Sequence, residues 1–317
     1  MNKRLLIVGG TGFIGQSILD FFTKKNLFEK KVKEIIITYS NKKLIKKKKY
    51  KINNISINYI KCNLLNNFKL PKAKYIIYCA LLKNLLKDPL AVKNFCKFAE
   101  KNFRKSNLLY ISSGAIYGNQ PRNVKKLKEN YLLKNKKIDF SDKKKNLYAL
   151  AKWKNEKTFL SLSDKCQKIG IARCFAFVGS RLPRKKNFAI GNFINSIINK
   201  KNIYLKAKNR VIRSYMYADD MTFWLLKIIF NLNKKPLIYN VGSNQAVDIK
   251  NLAFSLAKKY KLKLKMSYKN IPNNKFIDNY VPDISLARKE LGLKLNFTNL
   301  QSIYKTIEIL NMKTKKL

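Results

Sequence analysis

Residues 4–15 read Arg4-Leu5-Leu6-Ile7-Val8-Gly9-Gly10-Thr11-Gly12-Phe13-Ile14-Gly15, an apolar run that ends in a glycine-rich turn. The run has the length and character of a fully buried strand, and the residues up to position 23 carry apolar side chains at helical spacing. A strand that turns through glycines into a helix has a physical use. The tight turn and close backbone approach aim amide N–H groups and the positive end of the helix at a diphosphate, while the last glycine lets helix and strand pack. Gly9, Gly12, Phe13, Ile14 and Gly15 are therefore the expected cradle for a dinucleotide. A glycine motif alone is weak grounds; its place between a strand and a helix makes it strong.

Further along, short β-branched runs at 34–39, 56–60, 74–79, 107–112 and 170–175 alternate with helix-period segments. That alternation predicts a parallel sheet with helices on both faces. Helices are expected over 11–23, from Asp88-Pro89 read as an N-cap followed by proline, over 218–231, and after a cap at Asp248. The stretch 119–146, rich in Lys and Asn, reads as a surface excursion, and a strand at 237–241 rejoins the sheet. Past Phe175 the alternation breaks at Pro183, Gly191 and a basic cluster. Residues 1–175 with 211–245 are thus expected to form the dinucleotide-binding domain, and 176–210 with 246–317 a substrate-binding region.

The second run leads into Thr38-Tyr39-Ser40-Asn41-Lys42-Lys43, with no Asp or Glu to accept the ribose hydroxyls of NAD. Ser40 and Lys42 can meet a 2′-phosphate instead. The cofactor is expected to be NADP(H) or NAD(H), with NADP(H) preferred. In so lysine-rich a chain, the missing acid carries more weight than the lysine.

The formal charge is +52, from 69 Lys and Arg against 17 Asp and Glu. At face value this points to nucleic acid or an anionic membrane. Only nine of the basic residues are Arg, the residue suited to bidentate recognition of bases and phosphates, and the lysines are spread along the chain among Asn and Ile. Neither a nucleic-acid nor a membrane partner is therefore expected, though anionic substrates should be attracted. Cys62, Cys79, Cys96, Cys166 and Cys174 form no C-x-x-C and no close pair, which predicts reduced thiols in a cytoplasmic protein. The apolar run at 5–8 is too short for a signal peptide, and no stretch approaches the roughly 18 apolar residues of a spanning helix. With no histidine in the chain, a His base or His metal ligand is excluded, and no metal is expected.

Tyr148-Ala149-Leu150-Ala151-Lys152 puts a phenol and an ammonium four residues apart, on one side of a helix. A phenol near pKa 10 is a poor acid or base at neutral pH, but a nearby ammonium and cofactor charge favour the phenolate. Upstream, Leu109-Tyr110-Ile111-Ser112-Ser113 ends an apolar run, and a hydroxyl at the carboxyl end of a strand lies where open α/β sheets bind ligands.

GGTGFIG at 9–15, SSGAIYG at 112–118 and YALAK at 148–152, in that order and at these distances, resemble the extended short-chain dehydrogenase/reductase family, specifically its nucleoside-diphosphate-sugar epimerase/dehydratase branch. The resemblance continues through RSYMYADD at 213–220, YNVGS at 239–243, YVPD at 280–283 and ARKELG at 287–292. It implies a Rossmann-type doubly wound parallel sheet with a smaller, discontinuous C-terminal substrate domain. Ser113, Tyr148 and Lys152 take the family's catalytic positions, and Lys152 would also hold the nicotinamide ribose. Asn63 and Ala80 fall with the cofactor, Tyr117 and Arg213 with the substrate. The resemblance further implies a nucleoside-diphosphate sugar as partner and a homodimer.

Departures narrow the chemistry. Dehydratases of this branch usually follow the Ser/Thr with Asp-Glu, where this chain has Gly114 and Ala115, so 4,6-dehydration is disfavoured. Ala176 and Val178 replace an Asn and a Tyr usual in nucleotide recognition, and Asn63 stands where an Asp often meets adenine. The expected activity is epimerisation of a nucleotide sugar or reduction of its 4-keto form. The competing expectation is a non-catalytic nucleotide- or RNA-binding member of the same fold.

Overall fold

The computed structural model describes residues 3–25, 27–40, 49–120, 124–131, 143–163, 167–184, 188–206, 209–266 and 277–314. Along the chain come β1 (Arg4–Val8), α1 (Phe13–Lys24), β2 (Glu34–Tyr39), β3 (Lys49–Ile52), β4 (Ile55–Lys61), β5 (Tyr75–Tyr78), α2 (Asp88–Asn102) and β6 (Asn107–Ser113). A 3-10 turn (Gly114–Tyr117) precedes α3 (Lys143–Leu160), β7 (Lys168–Cys174), β8 (Phe177–Val178), α4 (Ala189–Ile198), β9 (Ile203–Leu205) and β10 (Arg210–Arg213). The remainder is β11 (Met216–Tyr217), α5 (Ala218–Phe230), β12 (Leu237–Val241), β13 (Val247–Asp248), α6 (Ile249–Lys259), β14 (Leu264–Met266), β15 (Ile277–Tyr280), α7 (Ser285–Leu291) and α8 (Asn299–Thr314).

Two compact units divide the chain. The first comprises Met1–Gly118, Lys137–Cys174 and Thr222–Tyr239; the second comprises Asn119–Lys136, Phe175–Met221 and Asn240–Leu317. Relative to the sequence reading, 119–136, Phe175, 211–221 and 240–245 group with the second unit. Leu127 explains part of this: it is fully buried, and its backbone pairs with Val281 and Asp283, so this stretch is more than a surface excursion. Residues 143–146 belong to the first turn of α3.

The first unit is built on an eight-stranded sheet of order β12-β7-β6-β5-β1-β2-β4-β3. The strands from β7 through β4 run parallel, and β3 closes one edge antiparallel to β4. Parallel strands buried on both faces must be apolar throughout, and Leu5, Leu6, Ile7 and Val8 are indeed fully buried. One face packs Leu6, Val8, Ile76 and Tyr78 against Val92 and Phe95 of α2 and Phe159 of α3. An aromatic cluster lies with α1 and the end of α5, where Phe28 meets Phe21, Phe223 and Phe230. β3 was missed because Lys-Tyr-Lys-Ile offers too few apolar residues to register as a strand. As an edge strand facing solvent, it needs few.

α2 starts one residue earlier than expected: Asp88 is its first helical residue, and Lys87 is the cap. The Asp88 carboxylate is turned to other partners, described below. The cap expected at Asp248 is present, its side chain accepting from the amides of Lys250 and Asn251.

In the second unit, three small sheets (β13-β10-β15, β11-β8 and β14-β9) join α4, α6 and α8 around a separate core of Phe193, Ile194, Leu252, Leu256, Ile303 and Ile307. Among the described residues no helix is long and apolar enough to cross a membrane, and no His/Cys/Asp/Glu group is placed to hold a metal ion.

Candidate functional site

In a parallel sheet the chain leaves every strand at the same end, and the register here brings three loop starts together. Val8 lies level with Tyr78, and Tyr78 with Tyr110. The glycine turn after β1, Cys79-Ala80 after β5 and the last residues of β6 therefore share the carboxyl end of adjacent strands. Strand order reverses between β1 and β5, and such a switch point is where open α/β sheets bind their ligands.

The turn itself explains its glycines. Gly9 has φ +76°, and a side chain there would run into the main chain of Ala80. A side chain at Gly15 would strike the backbone of Gly10, so helix and turn pack through that position. Gly12 differs: it is exposed, has an ordinary φ of −82°, and a Cβ would find only the Gly9 carbonyl at 3.9 Å. Gly12 caps α1 without any side-chain bond, and the amides of Phe13 and Ile14 open the helix. Open space before the first turn of a helix fits the diphosphate of a dinucleotide. The turn is held from beneath by Thr38, whose hydroxyl accepts from the Gly9 amide at 2.8 Å, and by Gln16, which donates to the Gly10 carbonyl at 3.0 Å. Neither support was foreseen, although a polar residue in the run Ile35-Ile36-Ile37-Thr38 was a signal for one of them.

Ser113, Tyr148 and Lys152 all belong to the first unit and converge. Ser113 ends β6, accepts from the Ala115 amide at 3.2 Å and hydrogen-bonds the Tyr148 phenol. Lys152, 4% exposed, donates to the Ile111 carbonyl at 2.9 Å, and its ammonium lies 4.9 Å from the centre of the Tyr110 ring. It also lies near Cys79, whose neutral thiol donates to the Val8 carbonyl at 3.3 Å and accepts from the Gly15 amide. The ammonium is thus tied through one side chain to the base of the glycine turn. Burial pushes the phenol above its ordinary 10, with the Ser113 bond pulling the other way. Burial likewise lowers Lys152, against the pull of Asp88, Cys174, Cys79 and Glu156. The expected depression of the phenol by Lys152 is absent: desolvation sets the direction, and Tyr148 stands ready as an acid at neutral pH.

Two buried carboxylates lie behind this group. Glu156 pairs with Arg173 at 2.9 Å, and Arg173 also donates to the Tyr117 hydroxyl at 3.0 Å. Asp88 accepts from the Leu82 amide and from Asn155, each at 2.8 Å. Tyr117, expected at the substrate, is instead 2% exposed with its hydroxyl engaged by Arg173.

Ala80 lies against Gly9, and Ser40 is exposed just past β2, while Lys42 falls outside the described residues. Asn63 is exposed, its side chain closing a local turn with the Leu65 amide at 3.1 Å. In the second unit, Arg213 on β10 is clamped to Asp278 of β15, by an ion pair of 2.7 Å and a bond of 2.7 Å to its carbonyl.

A doubly wound parallel sheet whose switch point holds a glycine turn and a Ser–Tyr–Lys group defines an α/β protein of the Rossmann type. The profile of the NAD dependent epimerase/dehydratase family matches residues 5–242, and the chain belongs to that family. It is 24% identical over 287 residues to a dTDP-D-glucose 4,6-dehydratase of Dictyostelium discoideum, covering 79% of this chain and 60% of that protein. The chain thus spans about 60% of that relative's length. Among solved structures it resembles the dTDP-glucose 4,6-dehydratase of Bacillus anthracis in complex with NAD, at 13% identity and a TM-score of 0.76, over 99% of this chain and 97% of that one. It also resembles the UDP-N-acetylglucosamine 4-epimerase of Bacillus cereus, at 17% identity and a TM-score of 0.71, over 99% and 97%.

Proposed function

We propose that this protein is an NAD(P)-dependent nucleoside-diphosphate-sugar epimerase or 4-keto-sugar reductase, with Tyr148 as the acid/base. The observation that carries the reading is the convergence of Ser113, Tyr148 and Lys152 at the carboxyl end of the sheet that starts with the open glycine turn. Gly9, Gly12, Phe13, Ile14 and Gly15 would hold the dinucleotide, which supplies or accepts the hydride. Ser40 and Lys42 favour NADP(H), since no acid stands at the end of β2.

In the reductive direction, the Tyr148 phenol donates its proton to the keto oxygen as the carbon gains hydride. In the oxidative direction, the phenolate takes the hydroxyl proton as the carbon loses hydride. Ser113 holds the reacting oxygen by hydrogen bond, and the Lys152 ammonium stabilises the phenolate and the ribose. Gly114 and Ala115 bring no carboxylate beside this centre, which argues against elimination of water. Arg213 would meet the sugar-nucleotide diphosphate. We further propose a homodimer: Leu90 on α2 and Leu150 on α3 are exposed at 51% and 44%, apolar groups suited to a subunit contact.

The test is to incubate purified protein with UDP- and dTDP-sugars and their 4-keto forms, following NADPH absorbance and product stereochemistry. A reductase consumes NADPH; an epimerase yields the isomer with none consumed. No turnover of any of these, with RNA bound tightly at physiological salt, would replace the proposal with a binding role.

A further inference from the structure

Four ionised side chains lie inside the first unit around α3, and their pairing is uneven. Glu156 and Arg173, 2% and 5% exposed, neutralise each other through bonds from two guanidinium nitrogens. That leaves Lys152 and Asp88, which is wholly buried. Asp88 receives hydrogen bonds from the Leu82 amide and the Asn155 amide group but, among the described residues, no direct ion pair. Among the described residues Lys152 gives one hydrogen bond, to a neutral carbonyl, and rests near the Tyr110 ring. Asn155 stands three residues after Lys152 on α3, so the residue that grips Asp88 and the residue that carries the ammonium lie on one helical face. A lone ion of either sign in such an interior is costly enough to neutralise itself, whereas two of opposite sign in one pocket sustain each other.

We propose that Asp88 is the buried counter-charge of Lys152, a positioning residue on α2 that keeps the ammonium charged beneath the Tyr148 centre. Of the other groups facing Lys152, Cys79 at the end of β5 and Cys174 on β7 have thiols pushed up to about 12 by burial and are neutral at working pH. The Tyr148 phenol, also raised, carries no charge there, and Glu156 is committed to Arg173. Asp88 is then the one uncommitted anion among those neighbours. The Tyr110 and Tyr78 hydroxyls also lie within its field, and burial holds both phenols above their ordinary 10. The Asp88 side chain thus does more than begin a helix: it lets a lysine with almost no access to water stay charged. Its bearing on catalysis rests on the function proposed above, whereas the charge pairing does not.

Two measurements on the full chain test the proposal. In the first, urea unfolding is compared for wild type, Asp88→Asn, Lys152→Met and the double variant. Each single change should lower the midpoint by stranding one charge, and adding Lys152→Met to Asp88→Asn should raise it again. A double variant less stable than Asp88→Asn overturns the pairing. In the second, NADPH and NADH affinity is followed against pH. In Asp88→Asn the alkaline loss of affinity should begin roughly one to three pH units lower, the range for losing a close opposite charge. Asn155→Ala breaks the same hydrogen bond but keeps the carboxylate, so its profile should match wild type. If Asp88→Asn leaves the profile unmoved, or Asn155→Ala moves it equally, Asp88 does not act through charge. If wild type binds neither dinucleotide, the proposed function fails, and the urea comparison alone decides the pairing.

Discussion

Replacing Gly9 and, separately, Gly12 with alanine divides what the glycine turn does for the fold from what it does for a ligand. At Gly9 the backbone is left-handed at φ +76°, which costs a residue with a Cβ roughly 1–2 kcal/mol. The new methyl also meets the Ala80 main chain, which cannot rotate away, and overpacking of this kind costs about 1–3 kcal/mol. Together these make about 2–5 kcal/mol, a large share of the ~5–15 kcal/mol that holds a typical domain together. At Gly12 the φ is ordinary and the nearest atom is 3.9 Å away, so the only fold cost is a poorer helix cap, under about 1 kcal/mol. That methyl would, however, stand in the space assigned to the diphosphate, and losing close approach should weaken NADPH binding at least about tenfold, or ~1.4 kcal/mol. Urea unfolding followed by circular dichroism reads the first quantity, and fluorescence titration with NADPH and NADH the second. Gly9→Ala should unfold early, while Gly12→Ala should unfold like wild type and bind poorly. Equal stability of the two variants, or undiminished binding by Gly12→Ala, would refute this account of the turn.

Other consequences follow from the same geometry. Tyr148→Phe should reduce turnover by roughly 10²–10⁴-fold with little change in substrate affinity, as steady-state kinetics would show; a smaller loss would remove Tyr148 as the acid/base. Because native Tyr148 titrates above its ordinary 10, unfolded chains release that proton first, and its contribution to stability falls as pH rises past about 10; Tyr148→Phe should flatten that decline in unfolding free energy. Native Lys152 titrates below 10.5, so the unfolded state binds the extra proton between the two values and stability rises with pH there; Lys152→Met should abolish the rise. Glu156→Gln strands the Arg173 guanidinium in the core and should cost about 3–5 kcal/mol in urea unfolding, an effect far beyond that of an exposed pair. Leu90→Asp with Leu150→Asp should shift sedimentation from dimer to monomer while leaving the circular dichroism spectrum intact, and an unchanged sedimentation coefficient would argue against contact through those helices.

Local chemistry explains which parts were legible from the chain alone. The strand, glycines and helix at 4–24, the strand at 237–241 and the cap at Asp248 are written in short-range pattern: β-branched runs, helical period, a carboxylate before two free amides. The Tyr148–Lys152 spacing and Ser113 at a strand end are equally local, and the parallel sheet then requires them to meet. Long-range pairing was invisible. Asp88 reads as a helix start until Leu82 and Asn155 are found on its two oxygens, and Tyr117 reads as a ligand contact until Arg173, 56 residues later, closes on its hydroxyl. Thr38 beneath Gly9 and Asp278 on Arg213 are partners across strands, which no spacing rule announces. Sequence period sets which face of an element is apolar. The partners of a buried charge, and with them the protonation of Tyr148 and Lys152, depend on which distant residues the folded core brings within reach.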